Sequence, residues 1–284
     1  MSAPLSSKAY PGHPRLGLSE ALGLSDRGSS EAMIVVAHPD DETIGIGGHL
    51  AELICPLVVH ATDGAPRDMA DAHRHGFSTR EEYARARRGE LEAAMREVGL
   101  SADVLVELGL VDQEAARHLP ELVHKLTALF WTRKTRLIFT HAYEGGHPDH
   151  DAVAFAVHAA LHLIERRGGK PAIVIEMPLY RPGAEGMITQ SFAPSPHMPE
   201  IVLPLFPARR REKQRMLACF RTQQQTLAPF RIDAERFRRA PAYDFAKLPV
   251  GVPLYESFSW GVKAAEWKTL ARAALAELDL APCP

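Results

Sequence analysis

Short apolar runs alternate with longer amphipathic stretches from residue 32 to about residue 180 of this chain. The runs Met33–Ala37, Leu57–Thr62, Val104–Leu108, Arg136–Thr140 and Ala172–Met177 are short and apolar, and several are rich in β-branched residues. Strands buried on both faces of a parallel sheet read this way. After the second run, Leu91, Ala94, Met95 and Val98 recur at helical spacing and Gly99 follows, which predicts a helix over Arg85–Val98 with its apolar stripe on the sheet. Helices are predicted likewise over Leu119–Trp131 and His150–Arg166, the second stopped by Gly168-Gly169. The alternation implies an α/β fold, with a Rossmann-like, mostly parallel sheet flanked by helices.

Outside this region the rhythm changes. Residues 1–30 read as a loosely ordered arm with a short helix at Ser19–Leu24. Beyond Pro178, Pro, Phe and Arg become frequent, and helices predicted over Arg209–Leu227 and Ala264–Leu278 flank a turn-rich stretch from Pro241 to Pro253. Residues 31–284 are therefore read as a single domain, its core ending near residue 180 and its extension covering one rim of the sheet.

Composition narrows the function. The 284 residues suffice for a full core, and a net charge of −2 offers no field to recruit nucleic acid or an anionic membrane. The longest apolar candidate for a span, Ala152 to Ile164, is interrupted by His158 and His162, and the first thirty residues have no signal-peptide pattern. A soluble, cytoplasmic protein is expected, with homo-oligomerisation left open. Cys55, Cys219 and Cys283 are too few and scattered for a disulfide framework or a cysteine zinc site.

The chemistry concentrates in two clusters, His38-Pro39-Asp40-Asp41-Glu42 and His147-Pro148-Asp149-His150-Asp151, which follow the first and fourth predicted strands. Ligands of open α/β sheets bind at the carboxyl ends of the strands, so clusters roughly 110 residues apart in sequence can face one another. His38 and Asp41, three residues apart in a tight turn, offer an imidazole and a carboxylate on one side, and His150 can add a third ligand. Two histidines and one carboxylate leave a position open for water, whose pKa a zinc-like cation would lower toward about 7. Asp40, beside a ligand without needing to be one, is the candidate general base. His147 is the candidate for steadying the oxyanion and protonating a leaving amine, with Asp149 holding its tautomer. One cluster alone would also suit a strand-ending turn with a helix cap; two such clusters at two strand ends are hard to explain by capping.

Ala37-His38-Pro39-Asp40-Asp41-Glu42 with Gly47-Gly48, and His147-Pro148-Asp149-His150, resemble the zinc-dependent deacetylases of the PIG-L or LmbE-like family, which act on N-acetylglucosamine-containing molecules. Thr62-Asp63-Gly64, Arg87-Arg88-Gly89-Glu90 and Val111-Asp112 extend the resemblance over about Met33–Leu161. It implies His38, Asp41 and His150 as metal ligands, Asp40 as base, His147 as acid, Asp149 as its orienting partner, and Asp112 in a site-lining loop. Arg87 or Arg88 is implied as a substrate contact. Some members place a tyrosine two residues before the acid histidine; here Gly145 stands there, and Tyr143 or His141 are the residues available to take its part. The expected function is removal of an N-acetyl or N-acyl group from an amino sugar or its conjugate, with Zn2+ as cofactor and Fe2+ or another divalent ion also suited to the ligands. The alternatives are hydrolysis of a non-sugar N-acyl amide and, from another class, a non-catalytic metal- or ligand-binding protein.

Other features read more plainly. Gly45, Gly47 and Gly48 lack the spacing of a dinucleotide fingerprint and are expected to allow close helix packing. His158 and His162 lie off the apolar stripe of their helix and are read as surface or interface residues. Arg209, Arg210, Arg211 and Arg215, with Arg236, Arg238 and Arg239, read as a solvated face more readily than as a site for an acidic substrate. Tyr243, Phe245, Tyr255, Phe258 and Trp260 suit either core packing or an apolar wall.

Overall fold

A computed structural model describes residues 17–23, 32–54, 56–195, 197–249 and 251–280. Most of the arm expected at residues 1–30, together with Cys55 and Cys283, lies outside the described residues. Five parallel strands, β1 (Ala32–Val36), β2 (Leu57–Thr62), β3 (Leu105–Leu110), β4 (Leu137–His141) and β5 (Ile173–Met177), lie in the order β3-β2-β1-β4-β5. The helices of this part are α1 (Leu18–Ala21), α2 (Asp41–Ile46), α3 (Ala70–Arg74), α4 (Arg80–Glu97), α5 (Leu119–Arg133) and α6 (Pro148–Arg166).

Every residue of β1 is buried, because the sheet is covered on both sides. Met33 and Val35 face a core shared with Leu122 and Leu126 of α5 and Val153 and Val157 of α6. Ile34 and Val36, pointing the other way, share a core with Leu91 and Met95 of α4. This is the expected α/β architecture.

Two helices begin earlier than their apolar stripes indicate. Helix α4 starts at Arg80 because Thr79 and Glu82 form a reciprocal capping box, worth about 1 kcal/mol. Helix α6 starts at Pro148 because proline suits the first helical position, with His147 as its N-cap.

The larger differences lie beyond Pro178, where no strands were predicted. A hairpin of β6 (Tyr180–Gly183) and β7 (Gly186–Thr189) follows β5. Then β8 (Ile201–Pro204) and β9 (Ala234–Arg239) join the central sheet, β9 antiparallel to β5 and β8 antiparallel to β9. The charged sequence of β9 hides its strand character, since Glu235 and Arg238 are buried as ion pairs. The helix expected over 209–227 divides into α7 (Pro207–Cys219) and α8 (Gln224–Leu227), with Phe220 out of helical geometry. Helix α9 (Ala264–Glu277) packs its Trp267 and Ala271 into the core beside α5 and α6.

These later elements brace α2. A Cβ on Gly48 would lie 2.5 Å from the Leu205 side chain, so only glycine permits the observed approach. Lys213 Nζ donates to Ile44 O at 2.7 Å and to Glu235 Oε1 at 2.5 Å, bringing a cation to carbonyls at the C-terminal end of α2. Glu235 also accepts from the Gly48 N–H at 2.7 Å and pairs with His49 Nδ1 at 2.6 Å. Among the described residues no helix is long and apolar enough to cross a membrane.

Candidate functional site

Strands β1 and β4 are neighbours in the sheet, and beyond them the order runs outward in opposite directions, through β2 and through β5. A crevice opens at the carboxyl ends of strands at such a switch point. His38, Asp40 and Asp41 follow β1, His141 closes β4, and His147 to His150 lead into α6. Both sequence clusters meet there, with Asp112 arriving from beyond β3.

The three residues expected as ligands converge. His38 Nδ1 lies 3.3 Å from Asp41 Oδ2 and 3.3 Å from His150 Nε2, and His150 Nε2 lies 3.4 Å from Asp41 Oδ1. Tetrahedral donors about 2.05 Å from zinc are separated by about 3.3 Å, the distance of His38 from His150, while Asp41 meets the two histidines through different carboxylate oxygens. His38 Nε2, the ring's other nitrogen, faces Asp149 Oδ2 at 3.3 Å and Asp112 Oδ1 at 3.1 Å, the outer carboxylate contact that metal-ligating histidines make. His141 Nδ1 is buried without a hydrogen-bond partner. The donor set thus suits a divalent cation. Among the described residues, donor atoms within 4.8 Å of one another group as His38, His147 and His150, as Asp41, His141 and His150, and as His38, Asp112 and Asp149.

The electrostatics of this pocket are set by burial and mutual proximity. Burial opposes the charge of His38, yet Asp112, Asp149 and Asp41 outweigh it and hold its pKa well above the usual imidazole value. Burial raises the Asp41 pKa, but His150 and His141 overcome that and hold it well below the ordinary carboxylate value. His150 is pushed down to about 3 by burial and by His141, which leaves it neutral and able to present a lone pair.

Asp40 has a strained backbone, with φ at 147°. Arg87 holds it there. One guanidinium nitrogen donates to Asp40 Oδ2 at 3.1 Å and to Pro39 O at 2.8 Å, and another donates to Gly64 O at 3.0 Å. From the other side the Asp40 N–H donates to Glu42 Oε2 at 3.1 Å, itself paired with His60 Nε2 at 3.0 Å. Burial raises the Asp40 carboxyl to about 8 despite Arg87, a value suited to accepting and returning a proton near neutrality.

His147 sits across the cluster, its ring centroid 4.7 Å from that of His38. Its Nδ1 accepts the Asp149 N–H at 3.2 Å, which puts the proton of the neutral ring on Nε2. Asp149 therefore orients His147 through its main chain, where the sequence suggested its carboxylate. That carboxylate is turned to the loop after β3, accepting from Gln113 N–H at 2.6 Å and Ala115 N–H at 3.0 Å.

The residues expected to line a substrate pocket separate in space. Asp112 and His141 lie in the cluster; the His141 ring is stacked on that of His150 at 4.0 Å and its Nε2 accepts the Ala37 N–H at 2.9 Å. Arg87 is buried beneath Asp40, its two terminal nitrogens donating to Asp40, Pro39 and Gly64. Arg88 turns outward to Glu92 and Glu107. The Tyr143 hydroxyl is occupied, donating to Lys247 O and accepting from Trp267 Nε1, both at 2.8 Å. His158 is partly buried, its ring packed on Tyr243 and Phe245 of the C-terminal segment.

Sequence reasoning did not single out Tyr180. Its ring lies 5.0 Å from that of His150, and its hydroxyl has no hydrogen-bond partner among the described residues. Burial, then Asp41, Asp40, Asp112 and Asp149, push its pKa well above the phenolic value, so its hydroxyl remains a donor beside the cluster. No sequence signal placed it there, since Tyr180 arrives on the unpredicted β6–β7 hairpin.

Residues 33–161 match the PIG-L family model, described as GlcNAc-PI de-N-acetylase. No curated protein matches the chain by sequence. Among solved structures, the A40926 pseudoaglycone deacetylase Dbv21 superposes with a TM-score of 0.56 at 18% identity, covering 74% of this chain and 97% of that one. The zinc inhibited form of teicoplanin deacetylase Orf2 gives 0.53 at 15% identity, covering 75% and 100%. GalB, the 4-carboxy-2-hydroxymuconate hydratase from Pseudomonas putida KT2440, gives 0.51 at 17% identity, covering 75% and 97%. At these identities the likeness is one of fold. The stretch that matches the PIG-L family model, residues 33–161, takes in both clusters together with Arg87 and Asp112.

Proposed function

We propose that this protein is a metal-dependent N-deacetylase acting on an amino sugar or an amino-sugar conjugate. The observation that carries the reading is the convergence of His38, Asp41 and His150 at donor spacing, with Asp40 beside them and His147 opposite. The PIG-L match and the deacetylase names of the structural neighbours support the same reaction class. His38, Asp41 and His150 would hold a divalent cation, which supplies Lewis-acid polarisation of the acyl carbonyl and acidifies a water.

The chain's own residues supply the proton transfers. Asp40 accepts the proton of the attacking water, its carboxylate fixed by Arg87. His147, as the Nε2–H tautomer, donates a hydrogen bond to the carbonyl oxygen as charge develops there. The proton gained by Asp40 is then available to the departing amine. A binding protein would need neither the strained, buried base nor the opposed imidazole donor.

A second reading is water addition to a carbon–carbon double bond at the same centre, favoured by the likeness to the hydratase GalB. The test is metal analysis of the purified protein, with amine release measured on N-acetyl amino sugars and non-sugar N-acyl amines, and hydration measured on unsaturated carboxylic acids. Metal-dependent amine release from the sugars is the expected result. Hydration without amine release would replace the deacetylase reading.

A further inference from the structure

The reaction centre absorbs the polar residues around it but leaves an aromatic pair at its edge without a role. The Trp260 ring lies 4.9 Å from that of His147 and 6.2 Å from that of Tyr180. Phe258 is stacked on it at 4.3 Å, with the planes 6° apart, and remains 43% exposed. The five rings grouped in sequence therefore divide. Phe245 and Tyr255 are buried in the core with Tyr243 and Trp260 packed against it, and Trp260 also stands beside His147 with Phe258 stacked on it.

The segment that carries the pair is anchored at both ends. Leu254 N–H donates to Gly145 O at 2.8 Å, and the Tyr255 hydroxyl donates to Asp151 Oδ2 at 3.1 Å, tying one end to the start of α6. At the other end Arg117 donates to Gly261 O at 3.0 Å. A Cβ on Gly261, whose φ is +76°, would lie 2.2 Å from Gln113 O, in the same loop that supplies amides to Asp149. The rings are thus held at a fixed place relative to His147.

The position of His147 fixes which half of a substrate they meet. His147 donates to the carbonyl oxygen, one bond from the carbon that bears the departing nitrogen, so a ring beside it lies within reach of the group that the nitrogen carries. A flat apolar surface there suits a saturated ring bearing the nitrogen, its C–H face on the indole and its hydroxyls in water. We propose that Trp260, backed by Phe258, is the platform on which the pyranose ring of the substrate stacks. This assignment rests on the deacetylase reading.

The test compares methyl N-acetylglucosaminide with the open-chain N-acetylglucosaminitol, which has the same acetamide but no ring, using the full chain supplied with zinc. The parent is expected to favour the ring substrate by about tenfold in kcat/KM. Trp260→Ala should erase that preference through KM, and Trp260→Phe should keep most of it. Equal losses on both substrates in Trp260→Ala would mean that the ring only steadies His147, and would overturn the proposal. In parallel, metal-free protein is titrated with N-acetylglucosamine while tryptophan fluorescence is read; the expected change is absent in Trp260→Phe, which retains Trp131 and Trp267. Sugar binding that depends on Trp260, without amine release by the parent, would keep the platform and remove the deacetylase reading. Amine release without ring preference would do the reverse, and neither signal would remove both.

Discussion

Arg87 lies beneath Asp40 and bonds both its carboxylate, at 3.1 Å, and the carbonyl of Pro39 just before it, at 2.8 Å. The side chain and the strained backbone of the candidate base are therefore held by one guanidinium. Arg87→Met should leave an unpaired carboxyl in a buried site, costing about 3 kcal/mol of stability. It should also lower kcat on the order of 100-fold through misplacement of the base. Arg87→Lys keeps the charge but loses the fork, and should recover stability more than turnover. Urea unfolding beside steady-state kinetics checks both parts; unchanged kcat in Arg87→Met would refute the positioning role.

Asp40→Asn removes the base while leaving the ligands in place. Turnover is expected to fall on the order of 100-fold or more, with metal content retained. Elemental analysis and amine release on the same sample decide it, and parental activity in the variant would sink the proposed mechanism.

His150→Ala and Asp41→Asn remove donors from the convergent set. The parent should gain thermal stability on adding zinc, about 2.7 kcal/mol at a hundredfold excess over Kd, and both variants should lose most of that gain. Calorimetric scans with and without metal measure it. Equal gains in parent and variants would move the ion elsewhere.

His158 gives a pH signature independent of the metal. Burial depresses its pKa from 6.5 to about 4, so the folded protein holds it neutral while the unfolded chain protonates it. This contribution is fully present above pH 6.5 and is lost as pH falls toward 4, amounting to about 3 kcal/mol. His158→Leu should flatten that portion of the stability profile, as read from urea midpoints at pH 7 and pH 5. An unaltered slope would show that His158 is hydrated in solution.

Lys213 and Glu235 form a buried pair whose other contacts reach α2. Lys213→Met alone should destabilise by about 3 kcal/mol, and the double change with Glu235→Gln should recover part of the loss. Additive losses in a double-mutant cycle would argue against coupling.

The site was legible in sequence where one short stretch carries its own chemistry. His38 to Asp41 and His147 to His150 each follow a recognisable apolar strand, so their place at the carboxyl ends of two strands could be anticipated from the apolar pattern alone. Contacts made across long separations were hidden. Nothing local distinguishes Arg87, which reaches Asp40, from Arg88, which reaches Glu107. The Asp149 carboxylate is turned from His147 by amides at Gln113 and Ala115, and Tyr180 depends on an unpredicted hairpin. Strand β9 was masked because its buried charges satisfy one another only after folding. The Thr79–Glu82 capping box was a readable signal that the apolar stripe overshadowed.

The bracing of α2 by Lys213 and Glu235 limits how this chain can be divided. The family-matching stretch holds every proposed ligand, yet the struts behind its first ligand turn and the rings beside His147 and His150 come from Tyr180 and later residues. Grafting residues 33–161 into another scaffold would carry the ligands without their supports. Exchanging residues near Phe258 and Trp260 within the intact chain would leave those supports standing, which makes that rim the natural place for new substrate preferences to arise.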